Sequence, residues 1–320
     1  MVKVREDYAM TGDGQVDIEG WVQQIASQTH LEDPDQFRQA CEKAAEIDLQ
    51  AFRQDRQWAP GSSSFRIGIE MAQVLAELHL DQASLVAAIL YRAVREERVP
   101  LETIRKEFGD EVAGLINGVQ QMAAISSIHH PLKGNVLGQS EGQLDNVRKM
   151  LVTMIDDVRV ALIKLAERTC AIRAVKDAPE EKRMRVAREV FDIYAPLAHR
   201  LGIGHIKWEL EDLSFRYLHE SAYKKIAKLL DEKRLDRDSY IKRVIATLQT
   251  ELKAYGIEGE LSGRAKHIYS IWRKMRRKGI DFSQVYDVRA VRILVPEVRD
   301  CYAALGIVHT LWRHIPNEFD

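Results

Sequence analysis

Apolar residues recur at three- and four-residue steps through most of the chain before Tyr255, a period that predicts amphipathic helices. From Asp33-Pro34 to Phe52 the stripe is Phe37, Ala40, Cys41, Ala44, Ala45 and Leu49. Asp33 supplies a carboxylate N-cap, and Pro34 stands where its missing N–H costs nothing. The run W-A-P-G-S-S-S, Trp58 to Ser64, is a breaker. Ile67 to Leu78 and Gln82 to Glu96 then predict a helical hairpin, broken near Leu80-Asp81, and Val99 to Phe108 and Glu111 to Ala124 two shorter helices. Ser126 to Gln143 is polar, holds three glycines and a proline, and predicts a mobile loop. Leu144 to Val175 returns to helix, with the apolar stretch Val158 to Ala166 placed in the core. Pro179-Glu180 opens a helix over Glu181 to Ala195, which Pro196, Gly202 and Gly204 interrupt.

After Tyr255 the period changes. Gly256, Gly259 and Gly263 punctuate a short stretch in which Ile257 to Leu261 predicts a strand. His267 to Lys278 is helical again. Val285 to Val295 is β-branched and alternates with charge, which favours a second strand. Asp300 to Trp312 closes with a helix. The fold class is therefore mainly α: an all-α domain over residues 1–195, then connecting helices and the start of a mixed α/β domain over 196–320.

The 46% apolar content supplies a sizeable core, and a net charge of -1 leaves only local charge to argue for any anionic partner. Cys41, Cys170 and Cys301 lie far apart and form no metal-knuckle spacing, which suits a reducing cytoplasm. The longest clean apolar run, Leu85 to Tyr91, is too short for a bilayer, so no membrane association is expected.

Local charge is concentrated in G-R-A-K-H-I-Y-S-I-W-R-K-M-R-R-K, Gly263 to Lys278, where seven cations stand with no carboxylate between Glu260 and Asp281. Ile268, Ile271, Trp272 and Met275 are spaced to face a core, while Lys266, Ser270, Lys274 and Arg277 follow another face. A glycine before a helix, then cations and a serine along one face, suits an anionic ligand. A solvated basic face and a nucleic-acid surface are the competing readings. Asp287, the one carboxylate of the following strand run, favours a polyphosphate with Mg²⁺, which takes one or two protein oxygens and leaves the rest to phosphate and water.

The string S-G-R-A-K-H-I-Y-S-I-W-R-K-M (Ser262 to Met275), followed by Y-D-V-R-A-V-R-I (Tyr286 to Ile293), resembles the synthetase domain of the RelA/SpoT family. So do I-Y-A-P-L-A-H-R-L-G-I-G (Ile193 to Gly204), K-W-E-L-E-D (Lys207 to Asp212) and the stretch Ala161 to Arg168, so that the resemblance spans the chain. It implies a (p)ppGpp synthetase, which transfers pyrophosphate from ATP to the 3′-hydroxyl of GTP or GDP and releases AMP. It places Arg264 against adenine and the ATP phosphates, and Lys266, Ser270 and Lys274 on the phosphate chain. Asp287 becomes the catalytic Mg²⁺ ligand, while Arg292 reads either as a further ATP contact, to phosphate or base, or as a strand arginine paired with a surface carboxylate.

Bifunctional members of the family also carry an HD-type hydrolase that binds Mn²⁺. Aligned by eye, its first histidine position is Ile67, its His-Asp pair Tyr91-Arg92, its Glu-Asp pair Arg95-Glu96 and its last aspartate Glu167. Carboxylates without imidazoles, beside Arg92, do not assemble a transition-metal site. The resemblance therefore points to the monofunctional branch with a pseudo-hydrolase domain and no Mn²⁺. His129 and His130, adjacent and before a proline, read as surface histidines.

Glu318-Phe319-Asp320 looks like the start of the acidic E-x-D-D signature of that branch. The acceptor-nucleotide half of the synthetase domain, and the C-terminal regions that engage the ribosome and uncharged tRNA, would follow it. The 320-residue chain is accordingly expected to be weakly active or inactive alone. The alternative function is a catalytically silent regulatory module that restrains a synthetase or binds a guanine nucleotide.

Overall fold

A computed structural model describes residues 16–53, 63–128, 157–232, 234–285 and 288–313. The described residues divide into two compact units, one ending at Ser214 and one starting at Phe215.

The first unit is helical: α1 (Ile18–Gln28), α2 (Pro34–Arg53), α3 (Ser64–Ala76), α4 (Gln82–Arg95), α5 (Leu101–Phe108), α6 (Asp110–Ile128), α7 (Val158–Ala174), α8 (Glu180–Glu189), α9 (Ala195–Arg200) and the larger part of α10 (Gly204–Leu218), whose residues from Phe215 on belong to the second unit. Side-chain oxygens cap the helices, at Asp33 as the sequence suggests and also at Ser63 and Asp81. Asp33 accepts from the Gln36 N–H at 3.0 Å, Ser63 from Arg66 at 3.0 Å and Asp81 from Ser84 at 2.9 Å. α4 is the hub, packed by α2, α3, α6 and α7. Every residue from Ser84 to Val94 is buried, as expected of a helix apolar nearly all round. α7 follows the prediction too, with Val160, Ala161, Ile163 and Leu165 buried, although Val158 at its start is exposed.

Two local expectations need correction here. Residues 126–128 continue α6, so the start of the loop predicted over Ser126 to Gln143 is helix, and the remainder of that segment lies outside the described residues. The histidines 129 and 130 lie there as well. Pro196 does not interrupt the helix. Residues Val190–Tyr194 widen into a π turn in which the Ala195 N–H donates to the Val190 carbonyl, and the proline then falls in the first turn of α9. A proline at the start of a helical segment removes no bond the segment needs.

The second unit contains α11 (Glu220–Glu232), α12 (Arg234–Ala254), β1 (Glu260–Ala265), α13 (Ile268–Lys278), β2 (Arg289–Leu294) and α14 (Val298–Leu311). The predicted order is present, but the first strand is Glu260–Ala265 rather than Ile257 to Leu261. Ile257 instead packs with Leu261, Ile293 and Leu311 against buried Leu252, Ala304 and Ile307. The second strand is also shorter than Val285 to Val295. Val285 is buried in a second cluster with Ile226, Ile271 and Phe282. Ile268, Trp272 and Met275 join that cluster, so the predicted core face of the basic helix is the observed one.

Gly263 is not a pre-helix glycine but a mid-strand one, opposite Val291. A Cβ there would lie 2.8 Å from Cγ2 of Ile241 on α12. Its absence lets the helix press onto the sheet, which is a packing reason rather than an anion-binding one.

Candidate functional site

Two charged centres stand out, one in each unit. In the first, glycine sets the helix spacing. A Cβ on Gly68 would lie 2.7 Å from the Ile89 carbonyl oxygen, so α3 and α4 approach more closely than an alanine would allow. This brings the region around Ile67 against α4, which carries Tyr91 and Arg92. Tyr91 is fully buried, and among the described residues its hydroxyl has no hydrogen-bond partner. Burial, with the Glu167 charge nearby, pushes its ionisation up to about 12.

Around these positions the carboxylates are already engaged by cations. Glu96 accepts from Arg92 at 2.6 and 3.0 Å and from Ser64 Oγ at 2.8 Å, and Arg98 pairs with it at 2.6 Å. Arg98 also donates to Asp48 at 3.1 Å, and Asp48 holds Ser63 Oγ at 2.7 Å. Glu167 takes four donors: Arg95 and Arg168 at 2.9 Å on Oε1, Lys164 at 2.9 Å and Arg168 at 2.6 Å on Oε2. Arg168 continues to Glu189 at 3.1 Å. A carboxylate accepts about four hydrogen bonds, so Glu167 has no oxygen lone pair left for a metal. Among the described residues no group of three or more His, Cys, Asp or Glu side chains is arranged to hold one. The donor set does not fit a Mn²⁺ ion.

The charges in this cluster are buried, which decides their titration. Desolvation would raise the Glu167 carboxyl, but Arg168, Lys164 and Arg95 outweigh it and hold the group well below the ordinary value of 4.5. Its contribution is complete above that ordinary value and is lost as pH falls toward the depressed one. Lys164 goes the other way. Burial pulls its ammonium down to about 8 against the partial support of Glu167, with Arg168 and Arg95 adding to the fall. The charged form therefore weighs on the fold below that value, and the penalty is relieved as pH rises toward the unfolded value of 10.5. The stability of Lys164→Met relative to wild type should therefore fall between about pH 7 and pH 10, as the wild-type ammonium loses its proton and its penalty. Urea unfolding of both proteins across that range checks the difference, and a constant gap would contradict the titration.

The second centre is the basic helix and its sheet. The antiparallel register pairs Ser262 with Arg292 and Arg264 with Ala290. Positions 262, 264, 290 and 292 therefore share one sheet face, while Leu261 and Ile293 lie on the other, against the core. Arg292 is exposed. Lys266 sits in the link between β1 and α13, partly buried, and not on the helix itself. Ser270 and Lys274 are partly buried and one turn apart on α13. Arg276 and Arg277 are exposed in its last turn, where the helix dipole favours cations. Asp287 and the acidic end Glu318-Phe319-Asp320 lie outside the described residues.

The sequence reading missed most of the buried network, namely Asp48, Ser64, Arg98, Arg168 and Glu189. A signal existed on α7. Lys164, Glu167 and Arg168 share one face of a helix that is otherwise core, and charges in such a place must be paired.

A helical module with a closed ion-pair centre, joined in sequence to a small sheet bearing a basic helix, defines the class. An HD domain model matches residues 40–204, and a model of the region found in RelA/SpoT proteins matches 263–320. The chain is 45% identical to a GTP pyrophosphokinase of Escherichia coli over all 320 residues, which is 41% of that protein. It is 48% identical to a GTP pyrophosphokinase of Photobacterium angustum over 253 residues, 79% of this chain and 34% of that one. A GTP pyrophosphokinase of Haemophilus influenzae is 47% identical over 254 residues, 34% of its length. The chain thus spans well under half of the curated relatives it matches, and it belongs to the RelA/SpoT family of HD-domain proteins.

Proposed function

We propose that residues 196–320 supply the connecting helices and the donor-nucleotide side of a (p)ppGpp synthetase, and that residues 1–195 form its pseudo-hydrolase domain. The reaction is transfer of pyrophosphate from ATP to the 3′-hydroxyl of GTP or GDP, with AMP as the other product. The observation that carries this reading is the likeness, along all 320 residues of this chain, to part of proteins named GTP pyrophosphokinase, together with the intact R-x-K-x-x-x-S-I-x-x-K-M motif.

Each residue has a physical task. Arg264 and Arg292, on one sheet face, offer planar guanidinium groups to the adenine and the phosphates. Lys266, Ser270 and Lys274 hold the phosphate chain, since phosphoryl transfer depends mostly on position and charge stabilisation. Mg²⁺ arriving with the ATP phosphates would supply charge neutralisation, with Asp287 as its protein ligand. A cytoplasmic location, and ribosome and uncharged tRNA contacts made by the longer protein, belong to the same proposal. No described helix is long and apolar enough to cross a membrane.

The saturated centre around Glu167 supports a second role for residues 1–195, a catalytically silent module that regulates synthesis. Calorimetric titration with a non-hydrolysable ATP analogue and Mg²⁺ tests the donor site. Lys266→Ala/Lys274→Ala should weaken binding by about tenfold or more, each lost charge-assisted hydrogen bond costing about 1.5–3 kcal/mol. Equal isotherms for the two proteins would leave the basic helix without its assigned role, and the regulatory-module reading would describe the chain better.

A further inference from the structure

The face of α13 that carries Trp272 lies opposite the one assigned to ATP. Trp272 stands two residues from both Ser270 and Lys274, which is about 200° around a helix in each direction. Ser270 and Lys274 therefore form a row on the far side of the helix from the indole.

That indole sits in a cluster of rings. Phe215, in the last turn of α10, lies 4.9 Å from Trp272 between centroids, and Tyr269 lies 5.9 Å from it. His219, in the link between α10 and α11, lies 5.5 Å away at an interplanar angle of 24°, which is a stack. Phe215 is also 5.5 Å from His219 and 6.3 Å from Tyr223. The Arg276 guanidinium lies 5.5 Å from the Trp272 centroid. Phe215 is 1% exposed, but His219 is exposed. Burial explains the first ring and not the second. An imidazole left to solvent gains little by desolvation, so its parallel placement on the indole reflects ring stacking, which is directional.

Direction is what α13 otherwise lacks. Its remaining core contacts, Ile271 and Met275 against Ile226, Leu229 and Phe282, are mostly aliphatic and tolerate small rotations. A catalytic or binding group must be held within about 10–20° of its working orientation. Rotation of α13 about its axis would swing Ser270 and Lys274 together.

We propose that His219 and Phe215 are positioning residues for the donor nucleotide: stacked on Trp272, they set the rotation of α13 that aims Ser270 and Lys274 at the phosphate chain. The inference rests on the donor-site reading above. His219 touches no nucleotide in this scheme and acts only through the indole.

The test is binding of the same ATP analogue with Mg²⁺ to the 320-residue chain carrying His219→Ala, His219→Phe or Lys274→Ala, beside urea unfolding of each. His219→Ala should weaken binding by about fivefold or more while the urea midpoint stays put, because misplacement of about 1 Å is already costly to a positioned site. His219→Phe, which restores a ring, should return affinity to within about twofold of wild type. Weak binding by Lys274→Ala beside full binding by His219→Ala would overturn the positioning role and leave the donor site standing. The role also fails if the phenylalanine variant binds no better than the alanine one. Unchanged binding by Lys274→Ala would remove the donor site, and the positioning role with it.

Discussion

Glu167→Gln is expected to destabilise the helical unit by about 3–5 kcal/mol, the usual cost of removing one partner from a buried ion cluster. The substitution keeps the side-chain shape and deletes one negative charge beneath three cations. Lys164 and Glu167 are only 1% and 3% exposed, so water cannot take over the lost interaction. Arg95 is 42% exposed, and its share of the loss is small. Arg168 retains Glu189, which leaves Lys164 as the chief casualty. Without Glu167 to support its charge, the ammonium shifts further below its present value of about 8. The deficit should therefore be largest near neutral pH, smaller at acid pH, where wild-type Glu167 is itself protonated, and smaller at alkaline pH, where Lys164 is already neutral. Glu167→Gln/Lys164→Met should recover much of the loss, because the two residues share one network and their effects do not add. Urea unfolding of both single variants and the double one gives the coupling directly. A deficit under about 1 kcal/mol, or a double variant no better than Glu167→Gln alone, would refute the buried-hub description.

Gly68→Ala is expected to cost about 1–3 kcal/mol, in a helix where the same change normally gains about 1 kcal/mol. The sign follows from what the new methyl would meet. It would lie 2.7 Å from the Ile89 carbonyl oxygen and 3.0 Å from its Cα, and these are backbone atoms of the central helix. A flexible side chain could swing aside, but α4 is packed on several sides and has nowhere to go. α3 would have to move away, and with it Ser64, which holds Glu96. Thermal or urea unfolding measures the loss. A stabilised Gly68→Ala protein would show that the two helices separate freely and that helix propensity decides.

The helical period and the cap at Asp33 were legible, because each depends on residues within one turn of one another. The apolar stretch on α7 declared itself as core for the same reason. Register and boundaries were less accessible. Ile257 looked like strand by composition, but its side chain is drawn into the cluster around Leu252, and the strand starts only at Glu260. Pro196 looked like a break because proline removes a hydrogen bond from a regular α-helix. The π turn before it takes up the irregularity, and nothing in the local sequence announces that turn.

The candidate sites divide in the same way. The basic helix is a local pattern, so the sequence alone identified its cations, its core face and its family likeness. It also showed that no imidazole stands at the expected hydrolase positions, since Ile67, Tyr91 and Arg92 are read off directly. What occupies that centre instead was decided by tertiary structure. Arg92–Glu96 and Lys164–Glu167 are pairs within one helical turn, but Arg98 reaches Asp48, Arg95 reaches Glu167, Arg168 reaches Glu189 and Ser64 reaches Glu96 only through the packing of segments far apart in the chain. The stack of His219 on Trp272 joins residues separated in the same manner. Sequence determined the charges and their local spacing, because these are short-range properties. Pairing was left to the fold, because ion pairs and ring stacks depend on distances between distant segments, and the packing of those segments sets the distances.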